Sequence, residues 1–379
     1  MGMAAARLLI DLDAVVTNWQ VLRSQAGGAH CAAVVKADAY GLGASPIAGR
    51  LFEEGCRTFF VAQLEEGIAL RTRLPAPAVM FVLNGLIPGT ESDCVDAGLW
   101  PVLNSLGQVE AWQKEARRRQ VRLAAALQVD TGMHRLGLPG AEWQALIDHP
   151  DLLDGIDLRL VMSHLVNAER IQAVSNRRQL QQFVRMRSAW PTVPASLANS
   201  SGIFLGAPWH FDLVRPGAAL YGIAPQMTLQ HAMHPVVQLQ ARIIQCRDVV
   251  PGGRVGYNGT WRAARQSRIA TVAAGYADGF PRALGNRASA AVAGHVVPVI
   301  GRVSMDTLTV DVTDVPPSLL AQAGWCDLLD SVRTVNVQAS AAGISPYTLL
   351  TGLGQRLQRV WTVKRVPSQT AAQPALCPA

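Results

Sequence analysis

A lysine at the end of an apolar run is the first candidate for chemistry in this sequence. Lys36 directly follows Val34 and Val35, and it precedes a loop that contains Tyr40 and Gly41. Only three of the 34 Lys and Arg residues are lysines, so a lysine in this setting is unexpected from composition. A partly desolvated amine loses its proton more readily, which suits Schiff-base formation. The alternative is a structural lysine whose ammonium group reaches solvent from a strand end.

The elements that would position Lys36 alternate regularly over the first 230 or so residues. Strands are predicted at 30–35, 58–62, 78–83, 100–103, 122–129, 158–163, near 195–197 and at 211–214. Helical patterns separate them, the first over 13–25 with Asp13 as its N-cap. About eight strand–helix units predict a parallel (β/α)8 barrel domain over 1–232, with a doubly wound open sheet as the competing interpretation. In a barrel, Lys36 would lie at the carboxyl end of a strand, where active sites are built.

The pattern changes after about residue 232. A long alternating stretch at 235–250 ends at Pro251, and short apolar runs separated by Gly and Pro follow it. This pattern predicts a mainly β second domain over 233–365. Residues 366–379 are rich in Pro, Ala, Gln and Ser, and we expect them to be disordered.

Composition narrows the class of protein. With 49% apolar and 16% charged residues, the chain is expected to be compact. No apolar run approaches the roughly 18–20 residues that cross a bilayer, and Asp11 and Asp13 interrupt the N-terminal apolar segment, so we expect no membrane segment and a cytoplasmic location. The net charge is +7, but its densest cluster, 117–119, lacks interleaved aromatic residues, so nucleic-acid binding is not expected. The six cysteines show no metal-ligand spacing, and no metal is expected.

A family resemblance begins at the lysine segment. Residues 33–41, AVVKADAYG, resemble the cofactor-lysine motif of the alanine racemases, pyridoxal 5′-phosphate enzymes with an N-terminal barrel and a C-terminal β domain. Similar motifs follow in order, with compatible spacing, between residues 8 and 362. They read DTGMHRLG at 130–137, ANSSG at 198–202, VRPG at 214–217, VGYNGTW at 255–261, GYADG at 275–279 and GRVSMD at 301–306.

The resemblance implies a two-base racemisation. Lys36 would hold the cofactor as a Schiff base and then act as the base on the D face of the substrate. Tyr257, contributed by the partner subunit, would act on the L face, so the resemblance implies a homodimer with shared active sites. Taken alone, Tyr257 could instead be a turn tyrosine that packs against Trp261.

The resemblance also assigns the substrate pocket. Arg135 and the backbone N–H of Met305 would hold the substrate carboxylate, for which a guanidinium is well shaped. Tyr276 would narrow the entrance and so select small amino acids such as alanine. Many family members carry a modified lysine that steadies the substrate arginine, but Gln128 stands at that position here. Arg135 would then be steadied by Gln128 or by a bound anion.

The cofactor-binding residues implied by the resemblance are Lys36, Tyr40, His164, Asn199, Ser200, Arg215, Gly217 and Ala218. The phosphate would be contacted by Tyr40, Ser200 and the backbone amides of Gly217 and Ala218. Tyr221 resembles a family tyrosine near this loop, although a packing role is the alternative for it. Arg215 would face the pyridine nitrogen; because a guanidinium keeps its proton, that nitrogen would stay unprotonated and reprotonation would be favoured over transamination. His164 would hydrogen-bond Arg215, although a lone strand-end histidine is also typical of a packed core. In some members a tyrosine in the final strand contacts the phosphate. Residues 353–356 read LGQR at that position, so this contact is not expected here.

The function expected from the resemblance is interconversion of L-alanine and D-alanine, which supplies D-alanine for peptidoglycan or degrades it. A broad-specificity amino-acid racemase on the same fold is the alternative, because the width of the pocket cannot be read from the sequence. A non-catalytic pyridoxal phosphate-binding barrel would lack the second domain. A decarboxylase with a related barrel would carry an acidic residue in place of Arg215.

Overall fold

The computed structural model describes residues 4–226 and 233–363, and the tail at 366–379 that is predicted to be disordered lies outside them. Its first half is built on eight parallel strands. They are His30–Cys31 with Ala33–Val34, Thr58–Val61, Val79–Val82, Trp100–Leu103, Leu123–Gln128, Ile156–Met162, Ala195–Ser196 and Leu213–Val214. The last strand pairs with the first, Leu213 opposite His30, and the Arg215 N–H donates to the Ala198 carbonyl beyond the seventh. These bonds close the barrel that the alternating pattern predicts.

Helices cover the outside of this barrel. They are Leu12–Gln25, Ala44–Glu53, Leu64–Arg71, Glu91–Asp96, Leu106–Arg119, Gly140–Asp148 and Val174–Arg187, with 3-10 helices at Pro150–Leu153, Gly202–Leu205, Ala207–Trp209 and Ala218–Tyr221. Every second strand residue points inward, and apolar side chains such as Phe60, Phe81 and Val102 fill the interior. Phe60 and Phe81 stack with ring centroids 4.9 Å apart. Within the described ranges, no helix is both long and apolar enough to cross a membrane.

The second half is mainly β, as the sequence predicts. Its strands are Val237–Val249, Arg254–Val255, Trp261–Arg262, Ser267–Val272, Ser289–Val292, His295–Ile300, Leu308–Asp311, Trp325–Leu329 and Gln358–Thr362. Its α-helices are Pro317–Leu320, Val335–Ala342 and Pro346–Thr351, and its 3-10 helices are Tyr257–Gly259, Tyr276–Asp278 and Arg282–Leu284. Six strands pair in a closed antiparallel ring, in which the long strand Val237–Val249 contacts Ser267–Val272 on one side and Trp325–Leu329 on the other.

The N-terminal strand departs from the predicted boundaries. Ala6–Asp11 pairs antiparallel with Val237–Val249 and parallel with Gln358–Thr362, so it belongs to the second sheet rather than to the barrel predicted over 1–232. Its alternate residues are buried, which fits a strand with one face on a core. The first helix begins directly after it, and the Asp11 carboxylate accepts the Ala14 N–H at 2.9 Å. The N-cap is therefore Asp11 and not Asp13.

Candidate active site

A cavity of about 420 Å³ opens where the barrel strands end. The residues predicted from the sequence that line it are Lys36, Tyr40, Arg135, His164, Asn199, Ser200, Arg215, Gly217 and Ala218. They come from loops that follow five different strands and are far apart in sequence. The barrel thus brings together every site residue that the sequence predicts within it, at the face where barrels carry their chemistry.

The cavity has an excess of positive charge. Lys36, Arg135 and Arg215 line it, and Glu169 is the one carboxylate among the described residues that line it. Arg215 is only 4% exposed, and a buried cation is costly unless a partner or a ligand compensates its charge. This lining therefore suits a ligand that carries more than one negative group, such as a phosphate together with a carboxylate.

The ammonium group of Lys36 loses its proton more readily than that of an ordinary lysine. Burial lowers the pKa of its ammonium group, and the nearby Arg135 guanidinium lowers it further, while the Glu66 carboxylate acts in the opposite direction. The side chain is half-buried at the end of the first barrel strand. A neutral amine is consequently more accessible here than on an ordinary surface lysine, which is the state that attacks a carbonyl carbon.

The chain after Lys36 makes a left-handed helical turn. Residues 37–40 all have positive φ, between 51° and 57°, although none of them is glycine. Left-handed helical geometry costs roughly 1–2 kcal/mol per residue, so this turn persists only because its surroundings hold it. The turn directs Tyr40 back against Tyr221, with ring centroids 4.8 Å apart. From within the turn, the Asp38 carboxylate accepts the N–H of Ala44, the first residue of the next helix, at 2.7 Å.

Arg215 is fixed by two serines that the sequence analysis did not single out. Its guanidinium donates to the Ser196 hydroxyl and, at 2.6 Å, to the Ser163 carbonyl. The Ser196 hydroxyl in turn donates to the Leu213 carbonyl, so its lone pairs are left to accept from Arg215. Burial lowers the pKa of Arg215 to about 9, and the guanidinium still keeps its proton at neutral pH.

His164 differs from its predicted role as the hydrogen-bond partner of Arg215. In the part of the chain that the structure describes, the Arg215 guanidinium bonds to Ser196 and Ser163 and not to the His164 ring. Burial and the nearby Arg215 and Arg135 cations lower the pKa of His164 to about 3. Its imidazole is therefore neutral, and it adds no charge to the cavity that it lines.

The predicted phosphate contacts form one wall of the cavity. The Ser200 hydroxyl accepts the N–H groups of Gly217 at 3.0 Å and Ala219 at 3.2 Å, which leaves its own proton for a ligand. Ala218 is the first residue of a 3-10 helix, so its N–H has no partner within that helix. A Cβ at Gly217 would lie 2.6 Å from the Tyr40 hydroxyl oxygen, so a larger residue here would displace that hydroxyl.

Tyr221 belongs to the packing around this wall. It is 1% exposed, and its hydroxyl donates to the Val34 carbonyl at 2.9 Å. Because the Tyr221 hydroxyl donates its proton to the protein itself, the packing interpretation is favoured over a direct ligand contact.

The loop that carries Arg135 is organised by one carboxylate. Asp130 Oδ1 accepts three successive N–H groups, from Gly132, Met133 and His134, at 2.9 to 3.1 Å. His134 takes a positive φ of 54°, and Arg135 follows it into the cavity. Gln128 is buried at the end of the preceding strand, and no hydrogen bond joins it to Arg135 among the described residues.

The second domain of the same chain contributes residues that sequence reasoning missed. Tyr347 and Thr351, from the helix Pro346–Thr351, line the cavity. Burial raises the pKa of the Tyr347 phenol to about 12, so it stays a hydrogen-bond donor at neutral pH. A tyrosine therefore does reach the cavity from this domain, from the helix and not from 353–356. No motif or periodicity marks this helix as part of a site.

Three predicted residues do not line this cavity: Tyr257, Tyr276 and Met305. They lie in loops of the second domain and are 65%, 43% and 53% exposed, respectively. These loops are close together, since the Ala277 N–H donates to the Met305 carbonyl at 3.0 Å, and a Cβ at Gly256 would lie 3.4 Å from the Arg302 nitrogen. One chain thus presents them as an exposed group, separate from its own cavity.

Comparison with known proteins gives a consistent result over most of the chain. Residues 10–225 match the model of the alanine racemase N-terminal domain, and residues 236–361 match that of the alanine racemase C-terminal domain. The chain is 46% identical over 371 residues to a catabolic alanine racemase of Agrobacterium fabrum, covering 98% of this chain and 96% of that protein. It is 47% identical over 357 residues to an alanine racemase of Rhodospirillum rubrum, covering 94% and 96%.

Solved structures agree with these relatives. The alanine racemase of Bartonella henselae, with covalently bound pyridoxal phosphate, superposes with a TM-score of 0.89 at 39% identity. The match covers 95% of this chain and all of that one.

Proposed function

This chain belongs to the alanine racemase family, and from that premise we propose that it interconverts L-alanine and D-alanine with pyridoxal 5′-phosphate as its cofactor. One observation carries the proposal: a single cationic cavity is lined by Lys36, Arg135, Arg215 and Ser200. Such a lining suits a ligand that combines a phosphate with an amino-acid carboxylate.

The cofactor, when bound, withdraws electrons from the substrate and makes the proton on its Cα removable. Lys36 Nζ would hold the cofactor covalently, and as a free amine it would take and return that proton on the D face. Its lowered pKa supports both tasks, because the neutral amine is the nucleophile and the base. Arg135 would orient the substrate carboxylate, together with the Met305 N–H of the partner subunit.

Arg215 would face the ring nitrogen of the cofactor. Its guanidinium keeps its proton at neutral pH, so it would donate to that nitrogen and leave it unprotonated. Ser196 and the Ser163 carbonyl hold the guanidinium in place from behind. The phosphate would be held by the Ser200 hydroxyl, the Tyr40 hydroxyl and the N–H of Ala218, whereas the N–H of Gly217 donates to the Ser200 hydroxyl.

We further propose a homodimer in which Tyr257 of one subunit serves the cavity of the other and moves the proton on the L face. The support is that Tyr257, Tyr276 and Met305 form an exposed group on the second domain and are absent from the lining of the cavity in their own chain. The division into a barrel and a β domain near residue 232, and the cytoplasmic location, stay part of this proposal.

The test combines absorbance with chiral analysis. The purified protein is expected to show the visible absorbance of lysine-bound cofactor and to convert L-alanine to a mixture of both enantiomers, much faster than L-serine or L-lysine. Lys36→Ala should lose the absorbance and the activity, because the attachment point and one base are removed. Lys114→Ala, at an exposed helix position, should keep both.

Two other outcomes would change the conclusion. Equal rates with L-lysine and L-alanine would indicate the broad-specificity racemase. A colourless, inactive protein that added pyridoxal 5′-phosphate does not restore would contradict the proposed function.

A further inference from the structure

The strained turn after Lys36 is held by a carboxylate from a different barrel unit. Glu66 lies in the first turn of the helix Leu64–Arg71, which follows the second barrel strand. Its Oε1 accepts the Ala37 N–H at 2.7 Å. Ala37 is the first residue of the left-handed turn and the immediate neighbour of Lys36.

The other oxygen of Glu66 is fixed to its own unit. Oε2 accepts the Ala62 N–H at 2.7 Å and the Gln63 N–H at 3.4 Å, at the end of the second strand. One carboxylate therefore ties the turn after the first strand to the end of the second. Because the Ala37 N–H belongs to the peptide that joins it to Lys36, this bond sets the direction in which Lys36 leaves the backbone.

We propose that Glu66 is a positioning residue for Lys36: it locks the left-handed turn so that the amine is presented to the cavity. This inference rests on the proposed function, since it assigns Glu66 a role in attaching the cofactor. Glu66 does not line the cavity and touches no reacting atom, so it acts through Lys36.

The charge of Glu66 predicts a second measurable effect, on the pKa of Lys36, which can be measured separately from cofactor attachment. Facing Lys36 are Arg135, which lowers the pKa of the amine, and Glu66, which raises it. The neutral His164 and the protonated Arg215 complete the basic groups around the cavity. Removing the charge of Glu66 should therefore lower the pKa of Lys36 further, whereas a purely architectural residue would leave that pKa unchanged.

Position and charge can be separated with two substitutions. Glu66→Gln removes the charge and keeps a single acceptor oxygen, so it cannot accept from both the Ala37 N–H and the Ala62 N–H. Glu66→Asp keeps the charge, but its side chain is too short to accept from both N–H groups. Glu65→Gln is the matched control, because Glu65 is exposed in the same helical turn and the described residues offer it no hydrogen bond.

The experiment removes the cofactor from the full-length protein and follows its return. Pyridoxal 5′-phosphate is added, and the rate constant for appearance of the visible absorbance of lysine-bound cofactor is measured, together with the unfolding temperature. We expect attachment to be slower by about fivefold or more in Glu66→Gln and Glu66→Asp, since a hydrogen bond to a charged group is lost, and unchanged in Glu65→Gln. The pH midpoint for chemical labelling of the Lys36 amine should fall in Glu66→Gln and stay in place in Glu66→Asp.

Each remaining result is decisive. Attachment at the wild-type rate in both Glu66 variants would overturn the proposal, as would a lower unfolding temperature with an unchanged labelling midpoint in Glu66→Gln. If Glu66→Gln does not fold, a wild-type attachment rate in Glu66→Asp would still overturn it. If the wild-type protein itself does not attach the cofactor, the proposed function fails instead of this inference.

Discussion

Lys36 lies among groups that act on its proton in opposite directions. Burial and Arg135 favour the neutral amine, and Glu66 favours the ammonium form. The net effect of these groups is to lower the pKa of Lys36 from its ordinary value. A lysine that must first attack a carbonyl and then exchange a proton needs such a balance, because neither the fully protonated nor the permanently neutral form could do both.

This balance predicts an unusual pH dependence of chemical labelling. In cofactor-free protein, the neutral amine of Lys36 should react with an acylating reagent at lower pH than an ordinary lysine, because its lowered pKa gives a larger neutral fraction at each pH. Arg135→Gln should move the labelling midpoint of Lys36 upwards, since it removes a positive neighbour. Mass spectrometry of the Lys36 and Lys114 peptides across a pH series measures both midpoints in one sample.

Lys114 serves as the internal reference because its side chain is exposed on the helix Leu106–Arg119. Coincident midpoints for the two lysines would contradict the depressed pKa. A midpoint that does not move in Arg135→Gln would remove Arg135 as a cause.

The sequence predicts the residues around Lys36 unevenly, for physical reasons. Ser200 and Arg215 are predicted because the motifs that contain them resemble those of the family, and both residues line the cavity. Ser196 and Tyr347 are not found, since they reach the site only through tertiary packing. Glu66 leaves a faint signal, a capping box with Gln63, but such a box marks any helix start and not a site.

At the scale of elements, two loops of the second domain depend on a close backbone contact. A Cβ at Gly275 would lie 2.2 Å from the Met305 carbonyl oxygen, with a φ of −148° that any residue can adopt. Glycine is therefore needed at position 275 because there is no space for a Cβ, and not because of the backbone conformation. The contact holds the loop with Tyr276 against the loop with Met305, and both belong to the exposed group proposed to serve the partner.

Gly275→Ala should therefore separate these loops. We expect a loss of about 1–3 kcal/mol in the free energy of unfolding, the usual range for overpacking, and a raised KM for alanine. Denaturant unfolding and steady-state kinetics measure the two effects. Gly49→Ala is the control, because a Cβ there meets nothing within 4 Å inside the helix Ala44–Glu53, and its stability should stay equal or rise by up to about 1 kcal/mol. A Gly275→Ala protein with wild-type stability and KM would show that the contact is unimportant.

The elements themselves are predicted well where their pattern is local. The strand–helix alternation of the barrel is visible because each parallel strand is a short apolar run and each helix shows its own period. The pairing of the strand Ala6–Asp11 with the second sheet is not predicted, since its partners lie more than two hundred residues away, as in Ala6 opposite Ala241. The left-handed turn after Lys36 is also unpredictable, because four non-glycine residues adopt it under tertiary restraint.

At the scale of the whole molecule, one chain holds two parts of the proposed site that do not meet. The barrel cavity holds Lys36 and the proposed cofactor contacts, and the second domain presents Tyr257 on its surface, 65% exposed. In a dimer with twofold symmetry, each second domain can face the cavity of its partner, so two complete sites would form. Each site would then draw Lys36 from one chain and Tyr257 from the other.

Shared sites predict recovery of activity from two inactive proteins. Lys36→Ala and Tyr257→Phe homodimers should each be strongly impaired, because each lacks one of the two proton-transfer groups at both sites. After dissociation and reassociation of an equal mixture, half of the dimers are mixed, and each mixed dimer holds one site with both Lys36 and Tyr257 intact. Activity should therefore rise to about one quarter of the wild-type value, measured as D-alanine formed per subunit. If each chain used its own Tyr257, no site in the mixture would be complete and activity would stay at the level of the separate variants.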